Sequence, residues 1–168
     1  MGFLVAQMGA RMQYAVPRIL AERGLLCCLF TDLLANRWPL SWCRVLPERL
    51  SPGFVSKLPR RVPQGIDRTL ARAFPLFGFR YAVRLRRARC PAEATAVHLW
   101  AGRTFTSLVN VHARWSHVDS VYGFNSAALE LLVEAKRRGK RAVLEQTSLP
   151  RRIENDLLSL EGLKWPDW

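Results

Sequence analysis

The sequence predicts a three-layer α/β domain built on a mostly parallel sheet, and three observations predict it. Short apolar runs of strand length alternate with amphipathic stretches of about a dozen residues. Glycines stand at the joins, at Gly9, Gly24, Gly123 and Gly139. The 168 residues, 49% of them hydrophobic, suffice for one core and fall short of two full domains. Strands separated by helices pair in parallel through crossovers, which puts helices on both faces of the sheet.

"FLVAQM", residues 3–8, is short and apolar and runs straight into Gly9, the pattern of a buried first strand that closes in a tight turn. From Met12 the period changes. Ala15, Val16, Ile19 and Leu20 share a helical face, Pro17 sits in the opening turns, and Gly24 is a C-terminal stop. "LLCCLF", Leu25 to Phe30, is a second buried strand, completing a β-α-β unit of right-handed crossover. From Thr31 to about Ala96 prolines, tryptophans and arginines break the pattern, leaving an irregular basic helical insert at about 36–96 in which "DRTLARAF" and "FRYAVRLRRARC" read as helices. Regularity returns with a helix from about Arg103 to Ala113. A strand from His117 to Tyr122 then ends at Gly123. The next helix, capped by Ser126, buries Ala128, Leu129, Leu132 and Ala135 and stops at Gly139. Arg141 to Glu145 is a further strand, and a last helix after Pro150 uses Ile153, Leu157, Leu158 and Leu160 as its face. The expectation is a single Rossmann-like domain over residues 1–168.

The net charge of +13 is concentrated: in residues 44–89 twelve lysines and arginines stand against only Glu48 and Asp67. Such an excess speaks to partners rather than to fold. Cys27, Cys28, Cys43 and Cys90 form no C-x-x-C and have no histidines at ligand spacing, so neither a metal site, a cofactor nor a redox motif is expected. Reduced thiols, an N-terminus without a basic leader, and no apolar run approaching about 20 residues point to a cytoplasmic protein.

Ligands of open parallel sheets bind beyond the carboxyl ends of the strands. Three turns fall there: "QMGARMQ" with Gly9, Ala10 and Arg11; "YGFNSAA" with Gly123, Asn125 and Ser126; and "EQTSLPRR" with Glu145, Gln146 and Thr147. Gly9 lets backbone approach a phosphate or sugar and Arg11 adds charge, although a tight turn alone needs a glycine, and neither G-x-G-x-x-G nor a Walker lysine accompanies it. His98, His112 and His117 are general-base candidates by chemistry, yet only His117 has a nearby carboxylate, Asp119. Arg80, Arg84 and Arg87 form one stripe at helical spacing. Three readings stay open for it: an anionic membrane surface anchored by neighbouring aromatics, a nucleic acid stacking on Phe74, Phe77, Phe79 and Tyr81, or a solvated helix face. No nucleic-acid motif accompanies the charge, so nucleic acid ranks last.

The order strand, "GARMQYAVPRILAERG", strand, variable insert, "VYGFNSAALELLVEAKRRGKRAVLEQTSLPRRIENDLL" resembles the N-terminal domain of family 4 glycosyltransferases, whose GT-B architecture faces two Rossmann-like domains across a cleft. The resemblance spans nearly the whole chain and is weakest at residues 36–96. It implies retaining, metal-independent sugar transfer from a nucleotide sugar to a sugar or lipid-linked acceptor, in polysaccharide or glycolipid synthesis. It also implies that Gly9, Ala10 and Arg11 face the donor phosphates, with Gly123, Asn125, Gln146 and Thr147 at the cleft edge. Where the family has paired glycines, this chain has Gly-Ala. No donor-binding C-terminal domain follows "EGLKWPDW", so the resemblance implies an acceptor-side half, either truncated or completed by a separate C-terminal domain chain, and nearly inactive alone. The alternative is a non-catalytic Rossmann-like module that docks on a membrane surface or protein partner through its basic segment, peripheral to the inner face of the membrane.

Overall fold

Leu4, Val5 and Ala6 alternate between two faces and all three are buried, so the first strand must have a layer of helix on either side. The computed structural model, which describes residues 1–35, 61–125, 127–147 and 149–166, bears this out. Its sheet has β1 (Phe3–Gln7), β2 (Leu26–Thr31), β3 (Ala71–Ala73), β4 (Ser120–Phe124) and β5 (Arg141–Glu145), in the order β3-β2-β1-β4-β5. Every pairing is parallel, with Val5 opposite Leu29 on one side and Tyr122 on the other. This is a Rossmann-like α/β domain.

The helices are α1 (Ala15–Glu22), α2 (Pro75–Arg87), α3 (Pro91–His112), α4 (Leu129–Arg137) and α5 (Arg151–Lys164). On one face of the sheet Leu4, Ala6, Phe30 and Val121 pack against Phe77 of α2, Phe105 and Val109 of α3, and Leu131 and Ala135 of α4. On the other, Val5, Leu29 and Phe124 meet Tyr14, Leu34 and Ile66, with Val16 and Leu20 of α1 beside them. The three layers follow from strands whose alternate side chains are apolar in both directions.

Several elements differ from the sequence expectation, each for a local reason. The first helix begins at Ala15 rather than Met12, because Met12, Gln13 and Tyr14 all have positive φ. That left-handed path carries the Tyr14 ring into the core, where it is fully buried. "DRTLARAF" is not a helix: Asp67 caps a single 3-10 turn, Arg68–Leu70, by accepting from the Thr69 N–H at 2.7 Å, and the chain then extends into β3. Pro75 and Pro91 open helices at their first positions, where a missing N–H costs nothing, so α2 and α3 both start earlier than expected. Residues 61–96 of the expected insert therefore include a fifth strand and two helix starts, while residues 36–60 lie outside the described residues, as does the expected cap Ser126.

Gly123 lies inside β4, paired to Ala6 and Leu144, instead of ending the strand. A Cβ there would come 2.6 Å from the Ala128 Cβ, so the glycine lets the start of α4 sit against the sheet. Leu129 points outward, 73% exposed, and Leu131 takes the core position expected of it. In α5 the expected apolar face stays open: Ile153, Leu157, Leu158 and Leu160 are each about half exposed. Among the described residues no helix is long and apolar enough to cross a membrane.

Candidate functional site

The carboxyl ends of the five strands form one rim, and the first turn is pinned to it by a buried carboxylate. Gly9 has φ +81, a left-handed value that favours glycine, and nothing lies within 4 Å of where its Cβ would stand. It is therefore required by conformation, with open space in front of it. Asp32, just past β2 and 2% exposed, accepts the Gly9 N–H at 2.8 Å and the Thr31 hydroxyl at 3.1 Å. Arg61 Nη1 closes the cluster at 2.6 Å from the same oxygen, Oδ1. Gln7 Nε2 donates to the Gly9 carbonyl at 3.1 Å. With its N–H committed to Asp32, Gly9 in this arrangement offers a phosphate approach, but not that amide. Ala10 packs toward the core and its carbonyl accepts the Gln13 N–H at 3.0 Å.

Arg11 reaches across the rim. Its Nη1 donates to Thr147 Oγ1 at 3.4 Å, and Thr147 in turn donates to Asn125 Oδ1 at 2.9 Å. The Asn125 N–H bonds the Glu145 carbonyl at 3.0 Å, which fixes the second turn to the end of β5. The Arg11 guanidinium also lies 5.5 Å from the centroid of the Phe124 ring, a cation-π distance. Three separate turns thus converge through Arg11, Thr147 and Asn125. Gln146 is exposed and takes no part in this chain of bonds, and Gly123 lies below it within β4. Beside it the Tyr122 hydroxyl donates to Glu145 Oε2 at 2.6 Å. Burial and that carboxylate push the Tyr122 pKa up to about 12, so the phenol stays a donor.

Two further groups border the rim. Tyr81 of α2 feels the charges of Asp32, Arg61 and Arg11, and burial first, then Asp32, raises its pKa. Its hydroxyl is 2.9 Å from His98 Nδ1. Tyr14 is raised to about 12, chiefly by burial. The other histidines are engaged elsewhere: His112 Nδ1 bonds the Leu108 carbonyl at 2.8 Å, and the expected companion of His117, Asp119, instead accepts the Gly2 N–H at 2.6 Å.

The basic stripe is divided. Arg80, Arg84 and Arg87 are exposed on α2 as expected, but the aromatic anchors proposed beside them mostly turn inward. Phe77 stacks on Phe105 and Tyr81, and Phe74 stacks on Phe30, leaving Phe79 at 62% and Leu76 at 82% exposure as the outward apolar residues. Arg84 lies 4.0 Å from the centroid of the Trp100 ring.

Asp32 and Arg61 escape a reading of the sequence. An acidic residue directly after the second strand, in "LFTDLL", is a signal that could find Asp32. Its partner 29 residues away inside the irregular segment has none. No protein-family model matches the chain, and neither a curated protein nor a solved structure does, so the geometry of this rim is what bears on function.

Proposed function

We propose that the chain is the acceptor-side half of a GT-B-type glycosyltransferase, which moves a sugar from a nucleotide sugar to an acceptor only when a donor-binding domain faces it. The observation that carries the reading is the convergence of Arg11, Thr147 and Asn125 from three turns at the carboxyl rim of an all-parallel sheet. Departure of a nucleoside diphosphate needs fixed positive charge aimed at the leaving phosphates. Arg11 is anchored at its far end by Thr147 and stands over an aromatic face, so its charge is positioned before a ligand arrives. Asp32 and Arg61 neutralise one another and serve to hold the turn. The exposed apolar face of α5 gives a facing chain something to cover.

The purified chain alone should release no nucleoside diphosphate from nucleotide sugars above the uncatalysed rate. Mixed with the donor-binding C-terminal domain of a family 4 glycosyltransferase, it should gain turnover, and Arg11→Ala in that mixture should lower kcat about a hundredfold with an unchanged melting temperature. Normal turnover by the chain alone, or unaltered kinetics in Arg11→Ala, refutes the reading.

A further inference from the structure

Two side-chain stripes at four-residue spacing face each other across a cavity of about 410 Å³ beside the end of β3. One runs along α3, through Trp100, Thr104, Leu108 and His112; the other along α2, through Leu76 and Arg80, continued by Arg84, which covers the Trp100 ring. The floor is apolar, formed by Phe74 and Phe77, and Arg72 and Arg80 supply the charge of the lining. The volume falls in the range of small-molecule sites, roughly 300 to 1,000 Å³. Among the described residues, no carboxylate forms an ion pair with Arg72 or Arg80.

We propose that this cavity binds a single-chain amphiphile with an anionic head, its alkyl chain against Phe74, Phe77, Trp100 and Leu108 and its head at Arg80. The occupant is argued from the lining. An aromatic and aliphatic floor gains from dehydrating a chain and offers Thr104 as its polar side chain besides the cations and His112. Two arginines in the lining favour a phosphate monoester or a carboxylate over a neutral head. This assigns Arg80 to a molecular ligand rather than to a membrane plane, and it stands whether or not the chain transfers sugar.

The test is calorimetric titration of the full chain with octyl, decyl and dodecyl phosphate, each below its micelle-forming concentration. The expected result is saturable one-to-one binding that tightens about fourfold per methylene until the cavity is filled. Arg80→Ala should weaken dodecyl phosphate about tenfold and leave 1-decanol unchanged. Thr104→Trp should fill the space and abolish binding. Leu76→Asp, at a position already exposed, should weaken the anion without disturbing the fold and so serves if the tryptophan variant misfolds. A parallel series of alkyl carboxylates separates the two head groups: the series that binds more tightly names the head. No saturable binding, equal affinity at all chain lengths, equal binding of inorganic phosphate, or binding only to anionic phospholipid vesicles each overturns the proposal.

Discussion

Asp32 shows how one buried side chain shapes the rim. It is 2% exposed and accepts three hydrogen bonds, from the Gly9 amide, the Thr31 hydroxyl and Arg61. A carboxylate in that position is tolerable only while its counter-charge stays within reach. Arg61→Ala should therefore cost about 3 kcal/mol of stability, measured as a lowered urea midpoint at unchanged slope. It should also loosen the first turn, seen as faster hydrogen exchange at the Gly9 amide. A neutral result in both measurements would mean that another cation takes over. At this scale the sequence is half legible. Gly9, Arg11, Asn125 and Thr147 stand out because glycine, arginine and short polar residues at strand ends have few other reasons to cluster. That Asp32 occupies the Gly9 amide depends on a contact 23 residues away, which no local pattern encodes.

At the scale of elements, α4 ends in a charge cluster that makes a pH prediction. Glu134 accepts from Arg137 Nε and Nη2 at 2.8 Å and from Arg138, whose guanidinium also lies 4.8 Å from the Trp115 ring centroid. These hydrogen bonds, Arg137 first, hold the Glu134 carboxyl at about 2, below its ordinary 4.5. A pKa depressed in the folded state means stability that is present above 4.5 and lost as pH falls toward 2. The melting temperature of the wild-type chain should thus exceed that of Glu134→Gln at neutral pH, and the gap should close across that window. A gap that persists at pH 2 would assign it to packing instead. The sequence makes α4 and β5 legible because the period, the stop at Gly139 and the alternation agree there. It misplaces β3, since "LARAF" carries helix-favouring residues and becomes a strand only by pairing with Leu29 to Thr31. Pro75 and Pro91 look like breaks in the pattern and are helix starts, a meaning set by the helical residues on their C-terminal side.

For the molecule as a whole, the sheet is closed on both faces around β1 and leaves α5 apart. Ile153, Leu157, Leu158 and Leu160 are legible in the sequence as one stripe, but a stripe does not say whether its own chain covers it. Removing residues 150–168 should lower the melting temperature by no more than about 3 °C, because no described residue of α5 belongs to either core cluster. A fall of about 10 °C would show that α5 supports the core.

The strand order has a temporal consequence. β1 lies at the centre of the sheet, yet its neighbour β4 is 117 residues further along, with Phe3 opposite Ser120. A ribosome adding roughly 5 to 20 residues per second needs on the order of 10 s to reach it. Throughout that interval one edge of β1, carrying some of the most apolar residues in the chain, has only β2 for company. Nascent chains cut short before Phe124 should therefore be captured by a strand-binding chaperone or by one another, and the affinity should vanish once β4 emerges to take its place.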